Sequence, residues 1–283
     1  MMLAARTDIA GNEGERIVEE NAPFDLMPSA DCKAGERKKY RRGILLTHGL
    51  KGTPYSMRAL GKVFQENCFR VMAILLPGHG TRPGDLLDVT WEDWMKAEKF
   101  GTDALASEVD EVYLGGFSAG GTVSIYHSLS DQRVLGLFLF SPAISITPLA
   151  ALAIFPNALG FIMPRAQWAE LMLDEDHYQY ESFPFNAATQ MYRLTKRLKS
   201  TLKTQIVTQP IFMAISEDDA TVSTPASITF FERASNSVNK MILYSTHPDR
   251  ILSRTKNIGN KVEMINSVFP DQHIIGSAHT AIV

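Results

Sequence analysis

Cysteine is scarce in this 283-residue sequence, with two in all. Cys32 and Cys68 stand far apart with no metal-ligand spacing. That speaks against a disulfide framework and fits a reducing, cytoplasmic compartment. The N-terminal stretch MMLAARTDIAGNEGERIVEEN lacks an apolar h-region, so a secretory leader is not expected. Charge of neither sign dominates: 28 Lys and Arg against 31 Asp and Glu give a net charge of −3, with a pI near 6.2. Without a basic field, a nucleic-acid partner is not expected. Long apolar runs are broken. Val134 to Pro164 carries no formal charge over 31 residues, a length that could span a bilayer. Pro142, Pro148, Pro156 and Pro164 cut it, however, and Ser141, Ser145, Thr147 and Asn157 add polar groups. A buried strand followed by an apolar cap is the expectation, with no transmembrane segment. No internal repeat is visible.

What is present is ordinary globular material: 45% apolar, 21% charged and 9% aromatic residues. The length suits one large α/β domain with a sizeable core. Residues 1–42 read as a polar tail and lead-in, ending in the charged run GERKKYRR. From Gly43 short apolar runs alternate with amphipathic ones. The pattern predicts strands at 43–48, 69–76, 111–117, 134–141, 211–216, 240–245 and 262–268. It predicts helices at 56–67, 91–105, 119–130 and 224–234. Near-continuous apolar strands between helices imply a mainly parallel sheet covered on both faces. Residues 142–209 interrupt the alternation by far more than a usual crossover, and an insertion of that length reads as a cap.

The sharpest chemical signal is Gly116-Phe117-Ser118-Ala119-Gly120 between a predicted strand and a predicted helix. In that context a G-x-S-x-G run is a nucleophile elbow; taken alone it is also a Gly-rich turn. A serine hydroxyl is a weak nucleophile and needs a base with a third group to orient it. The expected chain order is Ser, then Asp or Glu, then His. The strand ending at Ser141 is followed by no carboxylate. The strand ending at Ile215 is followed by Ser216-Glu217-Asp218-Asp219. Asp219 is the candidate acid, with Asp218 as its rival and a solvated acidic turn as the bland alternative. Oxyanion donors are expected from the N–H groups of Ala119 and of Leu50, in the loop His48-Gly49-Leu50-Lys51-Gly52. His48 reads as a structural residue of that loop.

These motifs resemble the α/β-hydrolase superfamily, in particular its bacterial carboxylesterase and monoacylglycerol lipase branch. LLTHGLKGTPYSM is similar to the family's H-G loop, and LLPGHGTRPGDLLDVTWEDW to its P-G-H-G segment. GFSAGG matches the elbow, and EDDATVSTPASITFF resembles the acid loop in a register that favours Asp219. SAHTAIV is similar to the closing histidine segment, which puts the base at His279. His79, in the P-G-H-G segment, is implied to be structural. The resemblance implies a domain over 43–283 and no metal or organic cofactor. Two departures stand out. About thirty residues separate KMILYS from the histidine segment, leaving His247 as a rival base beside a turn signature, Pro248-Asp249-Arg250. A closing helix is expected where only four residues follow His279.

The expected activity is that of a serine ester hydrolase on a small-molecule ester with an apolar acyl chain. Acyl transfer, amide or lactone hydrolysis on the same residues, and a non-catalytic ligand-binding relative are the alternatives, because fold alone does not choose among them. Oligomeric state is not legible.

Overall fold

The computed structural model describes residues 11–146, 164–248, 255, 257–268, 271, 276 and 278–283. Its centre is an eight-stranded sheet in the order β1-β3-β2-β4-β5-β8-β9-β10. The strands are β1 (Phe24–Leu26), β2 (Tyr40–Thr47), β3 (Phe69–Ile74), β4 (Val109–Phe117), β5 (Val134–Phe140), β8 (Ile211–Ser216), β9 (Lys240–Ser245) and β10 (Val262–Asn266). β1 runs antiparallel on the edge beside β3, and every other pairing is parallel. A two-stranded ribbon, β6 (Trp168–Glu170) with β7 (Phe183–Pro184), lies in the insertion. The helices are α1 (Gly11–Asn21), α2 (Arg58–Glu66), α3 (Trp91–Glu108), α4 (Ala119–Ser128), α5 (Phe185–Thr201) and α6 (Thr224–Arg233).

The strands read as unbroken apolar runs because both faces are buried. Side chains alternate across a pleated strand. On β2, Leu45 enters a core shared with Leu105 of α3, Leu198 of α5 and Phe231 of α6. Its neighbours Ile44 and Leu46 enter a second core with Phe64 of α2 and Phe69 of β3. Local signals start the helices on time. Thr90 and Asp93 form a capping box on α3. Ser223 caps α6 through the Ala226 N–H, with Pro225 in the first turn.

The lead-in is structured rather than a tail: α1 and β1 lie in it, and β1 hydrogen-bonds to β3. Buried Arg70 of β3 binds Asp25 of β1 and, at 3.0 Å, Glu108 at the end of α3. This fold-back corrects the cysteine expectation, because Cys32 and Cys68 form a disulfide across 36 residues. Spacing could not show it, since the two meet only when β1 docks on β3. The argument for a reducing, cytoplasmic compartment rested on unpaired thiols and falls with it.

Among the described residues no helix is long and apolar enough to cross a membrane. The apolar first half of the expected cap, including Leu149, Leu152, Ile154, Phe155, Leu159, Phe161, Ile162 and Met163, lies outside the described residues. The rest of the insertion supplies β6, a strap through residues 171–182, β7 and α5.

Candidate active site

β4 delivers Ser118 at the carboxyl end of the sheet, the usual place for a site in an open parallel sheet. Ser118 sits at φ 52° and ψ −114°, and α4 begins at the next residue. A non-glycine residue at positive φ is strained and persists only where its surroundings fix it. Here the Ser118 N–H donates to the Phe140 carbonyl at 2.9 Å, and its carbonyl accepts from Ala143 N–H at 3.0 Å. The elbow glycines are steric necessities. A Cβ at Gly116 would lie 2.4 Å from Gly120 backbone, and one at Gly120 would lie 2.0 Å from the Thr47 carbonyl oxygen.

Asp219 follows β8. One of its oxygens accepts from Thr221 and Val222 N–H at 2.8 and 3.0 Å, and the other faces His279 Nδ1 at 2.6 Å. Burial alone would raise the Asp219 pKa; the bonds from His279, Val222 and Thr221 outweigh it and hold the carboxyl below its ordinary range. Since Asp219 is then an acceptor, Nδ1 carries the proton, which in the neutral imidazole leaves the lone pair on Nε2. The His279 ring lies 4.9 Å from that of Phe117, the residue before Ser118.

Ser118, Ala119, Leu50 and His279 all line one cavity of about 770 Å³. One wall is apolar, with Ala143, Ile146, Phe183, Met191 and Val222. The other is polar and carries Tyr55, Asp176, Tyr178 and Gln179. The strap is lashed to the loop that holds Leu50. Tyr180 N–H donates to the Lys51 carbonyl at 2.7 Å. Lys51 Nζ donates to the Glu181 carbonyl at 3.2 Å, and Thr53 Oγ1 to the Tyr178 carbonyl at 3.1 Å. Tyr55 stacks on Tyr178 at 3.8 Å between centroids.

The rivals lie elsewhere in the network. Asp218 reaches the cavity wall, but its carboxylate accepts from Thr246 and Ser267 hydroxyls at 2.9 and 3.0 Å. His247 is bonded to the neighbouring Thr246 hydroxyl and is not among the residues lining the cavity. His48 is structural, as expected. Its Nε2 accepts from Leu76 N–H at 3.1 Å, so Nδ1 donates to the Gly49 carbonyl at 2.8 Å. Burial holds its pKa well below the usual value. His79 is also buried and bonds the Leu50 carbonyl through Nε2 at 2.7 Å. Among the described residues no cluster of His, Cys, Asp or Glu could hold a metal ion.

Two features escaped the sequence reading. Tyr178 of the strap and Phe183 of β7 carried no motif. Glu98 is fully buried between Thr47 and Ser124, and its spacing of four from Trp94, on the buried face of α3, was the available signal.

The fold agrees with comparisons to known proteins. The family model described as "Serine aminopeptidase, S33" matches residues 38–247. The chain belongs to that family. The family is one of serine hydrolases with the α/β-hydrolase fold. The thermostable monoacylglycerol lipase of Bacillus sp. (strain H-257) is 26% identical over 207 residues, 71% of this chain and 79% of that protein. The carboxylesterase of Bacillus subtilis (strain 168) is 33% identical over 85 residues, 30% of this chain and 35% of that protein. Among solved structures, one from the metagenome-derived lipolytic enzymes LipS and LipT superposes with a TM-score of 0.65 at 20% identity, covering 84% of this chain and 97% of that one. The monoacylglycerol lipase of Paleococcus ferrophilus gives 0.60 at 18% identity, covering 79% and 88%. At such identities the structural likeness speaks for the fold.

Proposed function

We propose that this member of the family is a serine ester hydrolase acting through Ser118, His279 and Asp219. The observation that carries the reading is the Asp219–His279 hydrogen bond beside an elbow serine in one open cavity. Ser118 Oγ attacks the acyl carbonyl while His279 Nε2 takes its proton. The imidazolium, stabilised by Asp219, then protonates the leaving alcohol, and water releases the acyl group by the reverse sequence. Leu50 and Ala119 N–H groups receive the negative charge of the tetrahedral intermediate; Ala119 opens α4, where the first N–H groups have no intrahelical partner. No metal or organic cofactor enters these steps.

The two walls divide the substrate. The apolar wall takes the acyl chain and the polar wall takes the leaving group, and the insertion contributes to both through Asp176, Tyr178, Gln179, Phe183 and Met191. Each methylene moved out of water contributes about 0.8 kcal/mol. kcat/KM on 4-nitrophenyl esters therefore rises from acetate to medium-chain acyl groups and then levels off. The test pairs that series with labelling by a fluorophosphonate. Absence of label on Ser118, or a strict preference for acetyl or charged acyl groups, would reject the corresponding half of the proposal.

A further inference from the structure

Glu98 lies within α3 and is completely buried. Both carboxylate oxygens are engaged: one accepts from Thr47 Oγ1 at 2.6 Å, the other from Ser124 Oγ at 2.8 Å. The two donors belong to different parts of the site. Thr47 ends β2 and directly precedes His48-Gly49-Leu50. Ser124 lies on α4, the helix that Ala119 opens. One carboxyl thus spans the strand that feeds one expected oxyanion donor and the helix that carries the other. The two pieces already touch at Gly120, whose Cα faces the Thr47 carbonyl with no room for a Cβ. A buried carboxyl is costly unless compensated by hydrogen bonds or charge. An apolar side chain would fill this place more cheaply, so the acid calls for a role.

We infer that Glu98 is a positioning residue for the oxyanion hole, its carboxylate holding Thr47 and Ser124 together so that the N–H groups of Leu50 and Ala119 keep a fixed separation. The inference rests on the reading of Ser118 as nucleophile. The ionised carboxyl accepts from both hydroxyls at once. When protonated, one oxygen becomes a donor, its hydroxyl partner must turn to accept, and the symmetric clamp is lost. Burial pushes the Glu98 pKa up to about 7, with the two hydroxyl bonds opposing it. The exchange between clamp states therefore falls near neutral pH.

α3 packs against β2, β3, β4, α4 and α5. At the near end of β2, His48 is kept neutral by burial. On β3, Arg70 is held by Asp25 and Glu108. On β4, Glu111 binds Arg41 of β2 and the Tyr113 hydroxyl, while Asp110 accepts from Arg37 N–H. On α4, His127 faces Asp131. On α5, Arg197 bonds the Tyr126 hydroxyl, and Tyr192, Arg193, Lys196 and Lys199 share that helix. Tyr40 and Arg42 lie towards the opposite end of β2. Among the described residues none of these forms an ion pair with Glu98.

The test is the pH dependence of 4-nitrophenyl butyrate hydrolysis from about pH 5 to 9, with Glu98→Gln, Glu98→Leu, Thr47→Val and Ser124→Ala beside the wild type. Catalysis in the wild type requires loss of a proton from the base and another from Glu98. Its logarithmic acid limb in kcat/KM is therefore steeper than one proton. Gln presents one donor and one acceptor, as the protonated carboxyl does, at every pH, so Glu98→Gln has a one-proton limb and an alkaline plateau in kcat lowered by about tenfold or more. Glu98→Leu loses on the order of 10²-fold in kcat with KM little changed, as loss of an oxyanion contact does. Should Leu not fold, Thr47→Val and Ser124→Ala report the same kcat-selective loss. A Glu98→Gln limb identical to the wild type, or equal changes in kcat and KM in the hydroxyl variants, would overturn the inference. Fluorophosphonate labelling separates the two readings. If Ser118 is labelled and Glu98→Gln is unchanged, only the role of Glu98 falls. If Ser118 is unlabelled and dispensable, the hydrolase reading falls with it.

Discussion

Replacing Glu98 by Gln perturbs stability in a way that follows from one buried group. The folded protein raises this carboxyl from its ordinary 4.5 to about 7, chiefly by burial. A proton on Glu98 is therefore bound more tightly in the native chain than in the unfolded one. Its stabilising contribution is complete below about pH 4.5 and is lost as pH climbs through about 7. At 1.36 kcal/mol per pKa unit the loss amounts to about 3 kcal/mol, a large part of the few to fifteen kcal/mol that holds a domain. Gln fills the same space and cannot titrate. Urea unfolding of both proteins across this pH range, followed by circular dichroism, isolates the effect, since all other titrations cancel in the difference. The stability of Glu98→Gln relative to wild type should grow by about 3 kcal/mol from the acid end to the alkaline end, with most of the rise near pH 5 to 7. A flat difference, or one that shrinks as pH rises, would show that the carboxyl is not buried in this way.

Three further outcomes are expected. Ser118→Ala should lose on the order of 10⁴–10⁶ in kcat, measured under saturating ester, as removal of a triad nucleophile does. His279→Ala should lower kcat by on the order of 10³-fold or more while His247→Ala changes it by less than about tenfold; the opposite ranking would exchange their roles. Replacing Cys32 and Cys68 by Ser should cost about 2–4 kcal/mol in urea unfolding under oxidising conditions. Added reductant should lower the wild type to the level of the double variant and leave the variant unmoved.

The interior strands were legible because a parallel sheet buried on both faces demands unbroken apolar runs, as in Ile211–Ser216 and Lys240–Ser245, whose bounds agree between sequence and structure. The elbow was legible because its glycines are forced by contacts within five residues and with one neighbouring strand. The choice of Asp219 over Asp218 turned on register; in the structure Asp219 faces His279, and Asp218 accepts from Thr246. What depended on distant partners was hidden. Phe24–Leu26 is three residues long and becomes a strand only because β3 offers an edge. The Cys32–Cys68 link and the Glu98 clamp likewise join segments far apart in the chain, where no local pattern marks them. The strap has little regular structure of its own: carboxylates of Asp174, Asp176 and Glu181 bond its backbone from within, and Lys51 and Thr53 anchor it to the Leu50 loop.

That last dependence has a consequence for anyone altering substrate preference. The segment carrying Tyr178 and Gln179 and the loop bearing Leu50 are bolted together through Tyr180, Glu181 and Tyr178. On the proposed mechanism, a change at Tyr178 or Gln179 meant to admit a bulkier alcohol reaches the loop of the Leu50 donor as well. Variants that widen this side will trade turnover for scope, whereas Met191, which α5 contributes to the apolar lining, belongs to neither of these two segments.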